Sequence, residues 1–174
     1  VTARNPNDKD NQALPCCHYG FQIVMRPLDI PKYHDIYSIP YPKYGFELHF
    51  EMRTVDTFLG LPYNIASYAT LALILEKITG HKALGIQGDL KKVHLYDNSL
   101  DAVKEQLSRD VDKYSKCEMT FHGEEGTTMF DHYKDPFRKD IDLNRLFNTF
   151  RPSTFRLYNY ESYPAINVEM LERD

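Results

Sequence analysis

The sequence has no tryptophan, only three cysteines among its 174 residues, and no long run of apolar residues. Without about 18 consecutive apolar residues, the pattern predicts no membrane-spanning helix. Positive charge is not in excess either, since 21 Lys and Arg face 25 Asp and Glu and leave a net charge of −4. This balance favours neither a polybasic membrane anchor nor a surface that coats nucleic acid. We therefore expect neither a membrane nor a nucleic acid as partner.

The cysteines are Cys16, Cys17 and Cys117. Their odd number and the absence of a Cys-x-x-Cys pair argue against a disulfide framework and against a zinc site. The pattern predicts reduced thiols in an intracellular, cytoplasmic protein that binds no metal.

Hydrophobic residues make up 42% of the chain, which is enough to form the core of a single domain. Residues 44–53 alternate apolar and polar side chains and predict a strand with one dry face. Residues 19–26, aromatic and β-branched, predict an antiparallel partner strand, joined to the first by the Pro-rich segment 27–43. Residues 64–80 are apolar almost all round and predict a helix inside the protein that ends at Gly80.

Shorter elements are predicted further along the chain. They are strands at 84–87, 93–96, 118–121, 155–158 and 165–170, a helix from Asn98 or Ser99 to Arg109, turns at 123–126 and 160–164, and a short helix at 140–150. The expected fold class is α+β, with a mainly antiparallel or mixed sheet backed by one long buried apolar helix.

Two motifs near the predicted strands contain reactive or charged side chains. Cys17, followed by His18, could be a nucleophile, although a cysteine acts as one only when a positive neighbour favours the thiolate. Core packing is the alternative for this motif. Arg53 and Thr54, where the alternating strand ends, could bind a phosphate; an ordinary solvated strand end is the alternative.

Two further motifs could recognise a nucleoside. Asn64 offers a donor and an acceptor on one amide and could therefore bind an imide edge, or it could simply cap the helix. His94 and Tyr96 lie on one face of a predicted strand and could hold a sugar, or form a structural pair.

Taken together, the four motifs resemble thymidylate synthase in order and rough spacing. The matching segments are Leu14-Pro15-Cys16-Cys17-His18, residues 53–68 (RTVDTFLGLPYNIASY) and His94-Leu95-Tyr96, with weaker matches at 1–6 and 160–166. The run 53–68 is long and highly specific. The resemblance covers nearly the whole chain except residues 110–154, which we interpret as a lineage-specific insertion.

The resemblance implies a reaction and a role for each matched residue. Cys17 would add to C6 of dUMP, so that C5 attacks the methylene carbon of 5,10-methylenetetrahydrofolate. Arg53 would bind the nucleotide phosphate and favour the thiolate, and Asn64 would hydrogen-bond O4 and N3 of uracil. The remaining matches are Thr54 at the phosphate, Val55 among the substrate-binding residues, Asp56 at the pyrimidine and the folate, His94 and Tyr96 at the 3′-hydroxyl, and His18 and Gln22 near the nucleophile.

The resemblance also implies that residues 1–174 are the C-terminal portion of one catalytic domain that forms a homodimer. The family's proton-relay glutamate, its folate-pocket aromatic residues and the arginine pair that it donates across the dimer would precede Val1. Two alternatives stay open at this point. Residues 172–174 are charged where the family has small apolar residues, and a looser closure would admit water, as in the family's phage dUMP hydroxymethylases. A non-catalytic nucleotide-binding remnant is the other alternative.

Overall fold

The structure, a computed structural model, describes residues 5–11, 16–29, 43–121 and 151–169. The helices and strands in chain order are β1 (His18–Pro27), β2 (Tyr44–Met52), β3 (Val55–Asp56), α1 (Leu61–Thr79), β4 (Lys82–Leu90), β5 (Val93–His94), α2 (Leu100–Leu107), β6 (Glu118–Phe121) and β7 (Phe155–Tyr158). Short 3₁₀ helices cover Pro6–Asn11, Asp97–Ser99 and Pro152–Thr154. None of the helices in this part of the chain combines the length and the apolarity that crossing a membrane requires.

The main sheet has three strands in the order β1-β2-β4. β1 runs antiparallel to β2, as the sequence predicted, and β4 runs parallel to it. Two small sheets complete the described strands: β3 pairs with β5 in parallel, and β6 pairs with β7 antiparallel. The mixed sheet confirms the predicted α+β class.

The core lies between the main sheet and α1. The alternating residues Phe46, Leu48, Phe50 and Met52 of β2 are all buried, and Leu48 is fully inaccessible. They pack with Tyr68 and Ala72 of α1. One side of β2 therefore faces the helix, as the period of two predicted, while Glu47, His49 and Glu51 are less buried on its other side.

Helix α1 differs from the prediction in its first turn and in its burial. It begins at Leu61 rather than Asn64, because Pro62 fits the first turn of a helix, where its missing N–H is not needed. It ends as predicted, with Gly80 in the left-handed conformation at a φ of 70°. In the described structure only Tyr68 and Ala72 are buried on α1, because the sheet covers one side of the helix.

A second, smaller cluster covers another part of α1. Phe121 of β6 is buried and packs against Leu73, Ile74 and Ile78, and its ring meets the ring of Phe155 edge-on at 5.6 Å. The strands predicted at 118–121 and 155–158 thus form one antiparallel pair that packs against the helix.

The predicted strand 165–170 is wrong over 165–169, and no turn forms at 160–164. Residues 160–169 have neither helix nor strand, because β7 takes β6 as its partner and the chain beyond it follows α2 instead. The Tyr163 hydroxyl donates to the Asp110 carbonyl oxygen at 3.2 Å, and the Asn98 amide donates to the Glu169 carbonyl oxygen at 2.8 Å.

The remaining predicted elements differ in length or fall outside the described residues. The strands predicted at 84–87 and 93–96 are observed at Lys82–Leu90 and Val93–His94, and the second helix is observed at Leu100–Leu107. The turn at 123–126, the helix at 140–150 and most of the Pro-rich connection lie outside the described residues.

We expect Gly88→Ala to destabilise the protein. Gly88 pairs with Phe50, and a Cβ on Gly88 would lie 2.5 Å from Phe50 Cζ, in a ring that is 3% exposed and has little room to shift. Overpacking of this kind costs about 1–3 kcal/mol. Chemical denaturation measures the change in unfolding free energy.

Gly85→Ala is the matched control on the same strand, because a Cβ at Gly85 meets no atom within 4 Å. We expect it to be neutral or to stabilise by up to about 1 kcal/mol, since alanine restricts the unfolded chain. Equal stability of the two variants would contradict the close packing of Phe50 against β4.

Candidate active site

The predicted nucleophile and the predicted phosphate-binding arginine lie next to each other. Cys17 immediately precedes β1, and Arg53 immediately follows β2 at the same end of the sheet. The Arg53 backbone N–H donates to the Cys17 carbonyl oxygen at 2.9 Å, and Arg53 Nε donates to the Cys16 carbonyl oxygen at 3.3 Å. The guanidinium is thereby fixed against the two-cysteine segment.

The Cys17 side chain is half-buried and packs against the edge of the main core. Cys16 is also half-buried, whereas Cys117 is exposed. Partial exposure beside a cation is the environment in which reactive cysteines are found.

A hydrogen-bond chain joins α1 to the start of β1. His18 Nδ1 lies 3.1 Å from the Tyr68 hydroxyl, and His18 Nε2 lies 3.2 Å from Asn64 Nδ2. Asn64 and Tyr68 are four residues apart on α1, so both project from the same face of the helix. Two helical side chains therefore hold the histidine that follows Cys17.

The roles in this chain follow from the donor inventory of each group. The Asn64 amide nitrogen can only donate, so His18 Nε2 accepts and His18 Nδ1 carries the proton that is donated to Tyr68 Oη. Asn64 then retains its second N–H and its Oδ1 side by side. A donor next to an acceptor is the complement of an imide edge, which offers an N–H beside a carbonyl oxygen.

Tyr68 is anchored more firmly than the groups that it supports. It is 8% exposed, and its ring stacks on the Phe50 ring at a centroid distance of 4.1 Å and an interplanar angle of 15°. Burial, and to a smaller extent the nearby Cys16, raises the pKa of the Tyr68 phenol. The hydroxyl thus stays protonated over the physiological range and can hydrogen-bond His18.

The β3–β5 pair brings Asp56 and His94 together. They are direct partners in the parallel register. Thr57 strengthens this pairing, because its backbone N–H and its Oγ1 each donate to the His94 carbonyl oxygen at 3.0 Å. The Asp56 carboxylate accepts the Phe58 N–H at 3.1 Å, which orients the turn that leads into α1.

His94 and Tyr96 are close, but not as two residues of one strand. β5 ends at His94, and Tyr96 instead precedes the 3₁₀ helix Asp97–Ser99. Their rings are perpendicular, with centroids 5.0 Å apart. The predicted pair therefore exists, but the bend of the chain after His94 produces it.

Three other residues with predicted roles are Val55, Thr54 and Gln22. Val55 is 1% exposed and belongs to the core, so only its backbone could meet a ligand. Thr54 is half-buried between β2 and β3. Gln22 is exposed and pairs with His49. His18 pairs with Met52, three residues further along β2, so Gln22 lies about 10 Å from His18 along the sheet.

The sequence motifs did not assign a role to Tyr68 or Thr57. The spacing of four between Asn64 and Tyr68 could have indicated a shared helix face. Nothing local to Thr57 could have indicated its bonds, because they reach residue 94. In the part of the chain that the structure describes, no group of three or more His, Cys, Asp or Glu side chains could hold a metal ion.

Comparison with known proteins identifies relatives of this chain. The sequence model of the family "Thymidylate synthase" matches residues 1–172. The "Probable thymidylate synthase" of Escherichia phage T5 is 32% identical over 171 residues, and the "Thymidylate synthase" of Enterobacteria phage T4 is 33% identical over 175 residues. Each alignment covers 98% of this chain but only 50% and 51% of the relative, so the chain spans about half the length of the curated relatives it matches.

Solved structures give the same result. The crystal structure of thymidylate synthase from T4 phage is similar with a TM-score of 0.70 and 30% identity, covering 98% of this chain and 51% of that one. Thermostable thymidylate synthase A from Bacillus subtilis shares the fold, with a TM-score of 0.66, 21% identity and coverage of 98% and 48%. The chain therefore belongs to the thymidylate synthase family.

Proposed function

We propose that the protein to which this chain belongs transfers one carbon from 5,10-methylenetetrahydrofolate to C5 of dUMP and forms dTMP. The observation that carries the proposal is the joint placement of Cys17 beside Arg53 and of His18 between Asn64 and Tyr68. The candidate nucleophile thus directly precedes the histidine that contacts the candidate imide-binding amide. Both phage relatives are named thymidylate synthases, which favours methylation over hydroxymethylation.

The chemistry would begin with the Cys17 thiolate. The sulfur forms a bond to C6 of the uracil ring, and the electrons of the C5–C6 double bond move through C5 toward O4 as an enolate. The remaining Asn64 N–H donates to O4 and Oδ1 accepts the N3 proton, so the amide binds the charge as it develops. Tyr68 and His18 keep the amide in this orientation without touching the ring.

The later steps regenerate the sulfur. C5 attacks the methylene carbon of the folate substrate, whose bond to N10 breaks, so that this carbon links C5 to N5 of the folate. C5 then loses its proton to a base and the bond between the carbon and N5 breaks, which leaves an exocyclic methylene on C5 and frees tetrahydrofolate. Hydride from the tetrahydrofolate reduces the methylene, and the electrons that return to the C5–C6 bond break the bond between C6 and the Cys17 sulfur. The products are dTMP and dihydrofolate, with the thiolate free for another cycle.

The other predicted residues would bind the ends of the two substrates. Arg53 and Thr54 would hold the phosphate, where a guanidinium offers several donors. His94 and Tyr96 would hold the 3′-hydroxyl, and Asp56 would contact the pyrimidine through its backbone and the folate through its carboxylate. The turn at Asp56 and the pairing with His94 support this, because they join the sugar and folate ends of the site in one small sheet.

We further propose that residues 1–174 are the C-terminal portion of a single catalytic domain, in which 110–154 is a lineage-specific insertion. The coverage of half the length of the relatives supports the first part of this proposal, that the chain is a portion of a longer domain. The complete protein would act as a homodimer in the cytoplasm, with the remaining substrate contacts supplied by the rest of the domain and by the second subunit.

We expect Cys17→Ala to abolish turnover. Without the sulfur there is no covalent adduct, and the rate of dTMP formation by the full-length protein should fall by about 10³-fold or more. Product formation from dUMP and 5,10-methylenetetrahydrofolate, followed by chromatography and mass spectrometry, measures the loss.

Cys16→Ala is the matched control, because it removes the adjacent thiol from the same segment. It should retain the wild-type rate within about threefold, the effect of a substitution away from the reacting atoms. Loss of turnover in Cys16→Ala with retention in Cys17→Ala would reverse the assignment. Hydroxymethyl-dUMP as the wild-type product would instead identify a hydroxymethylase.

We expect Asn64→Asp to shift the base preference toward cytosine. The carboxylate lacks the N–H that donates to O4 of uracil, whereas it can accept from the 4-amino group of dCMP. A site that loses a matched hydrogen bond rejects its substrate by up to about 10⁴-fold, so kcat/KM for dUMP should fall steeply while binding of dCMP improves. Steady-state kinetics with each nucleotide measures the ratio. An unchanged preference for dUMP would show that Asn64 does not face the base.

A further inference from the structure

A cluster of charged and aromatic residues outside the substrate-binding set lies at the same end of the sheet as Cys17. Lys91 follows the last residue of β4, and its ammonium donates a hydrogen bond to the Tyr19 hydroxyl on β1. The same ammonium lies 5.0 Å from the centroid of the Tyr19 ring. It also lies 3.7 Å from a carboxylate oxygen of Glu51 on β2 and 3.4 Å from one of Asp89 on β4. Lys91 therefore touches side chains from all three strands.

Tyr19 is the residue at which β1 becomes irregular. The register shifts between the pair His18–Met52 and the pair Gly20–Glu51, which places Tyr19 in a β-bulge. An extra residue in one strand bends that strand and re-aims the side chains beside it. The two residues directly before this bulge are Cys17 and His18, so the geometry of the bulge sets the direction of the chain at these two residues.

The backbone repeats the connection made by the side chains. The Lys91 N–H donates to the Met52 carbonyl oxygen at 3.0 Å. Arg53, which follows Met52 in the chain, donates its N–H to the Cys17 carbonyl oxygen at 2.9 Å. Lys91 is thus tied to the cysteine segment by one route through Tyr19 and by another through residues 52 and 53.

Charge favours persistence of this contact. The hydrogen bond to Tyr19, followed by the nearby Asp89, raises the pKa of the Lys91 ammonium, which stays charged near neutral pH. An ammonium that is bonded to the Tyr19 hydroxyl and flanked by two carboxylates limits how far the end of the ring can move.

We propose that Lys91 is a positioning residue for the nucleophile: through Tyr19 it fixes the bulge that holds Cys17 beside Arg53 and His18 beside Asn64. The expected change in turnover rests on the proposed function. The expected change in the reactivity of the Cys17 thiol does not.

The test compares Lys91→Met, Tyr19→Phe, the double variant and Lys91→Arg in the full-length protein. Lys91→Met should lower kcat for dTMP formation by about 10-fold while the KM for dUMP changes little, because small displacements of a reacting group are costly to the chemical step. The rate of Cys17 alkylation by iodoacetamide, followed by peptide mass spectrometry, should fall in parallel. Lys91→Arg keeps the cation and should restore most of both rates.

The double variant decides whether the two residues act as one unit. If Lys91 acts through Tyr19, the double variant should be no slower than Lys91→Met alone, since the effects of residues in contact are not additive. Lys82→Met is the matched control: Lys82 begins the same strand and pairs with Glu76 at 3.2 Å, away from the cysteines. It should leave kcat and the alkylation rate unchanged.

Several results would overturn the proposal. They are wild-type alkylation rates in both Lys91→Met and Tyr19→Phe, additive losses in the double variant, or an equal loss in Lys82→Met. If Lys91→Met failed to fold, Tyr19→Phe and Lys91→Arg would still carry the comparison. A wild-type protein that makes no dTMP would refute the proposed function alone, because the alkylation rates would still report the position of Cys17.

Discussion

The hydrogen-bond chain from Tyr68 through His18 to Asn64 is the constraint on which the site depends. It joins the helix behind the sheet to the strand that carries the cysteines, and it fixes which atoms of Asn64 remain for a ligand. The chain is only as rigid as Tyr68, and Tyr68 is held by the stack on Phe50, whose ring in turn packs close to Gly88. Core packing on one side of β2 therefore determines the orientation of the Asn64 amide on α1. In a close-packed interior such dependence is expected, because one displaced ring moves its neighbours.

The other half of the site depends on strand ends rather than on the core. Arg53 bonds the carbonyl oxygens of both neighbouring cysteines at the point where β2 stops, and the bulge at Tyr19 begins β1 there. A strand end and a bulge expose side chains that regular pairing would turn to one face or the other. This end of the sheet is consequently where a thiol, a guanidinium and an imidazole can meet while the rest of the strands remain packed. At the same end of the sheet, Lys91 after β4 contacts Tyr19 of β1 and Glu51 of β2.

The elements with clear periodicity could be predicted from the sequence, and those defined by tertiary contacts could not. The alternation in 44–53 predicted β2 and its buried face, and Gly80 predicted the end of α1. The sequence of residues 165–170 predicts a strand, yet the chain after β7 lies along α2 because β6 is already the partner of β7. Within the site, Cys17, Arg53 and Asn64 were found because their motifs resemble a family, and the structure brings them to one end of the sheet. Thr57 and Lys91 were not found, since their contacts lie 37 and 72 residues away in the chain.

In the proposed reaction the sulfur of Cys17 bonds to C6 of the nucleotide. The most direct measurement is peptide mass spectrometry of the full-length protein trapped with 5-fluoro-dUMP and 5,10-methylenetetrahydrofolate. A base cannot remove the fluorine at C5 as it removes the C5 proton of dUMP, so the covalent adduct should persist through digestion. Residues 10–32 contain both Cys16 and Cys17 between tryptic sites, since trypsin does not cleave between Arg26 and Pro27, and fragmentation of that peptide separates the two cysteines. The account predicts the nucleotide mass on Cys17; its presence on Cys16, or an unmodified peptide after trapping, would contradict it.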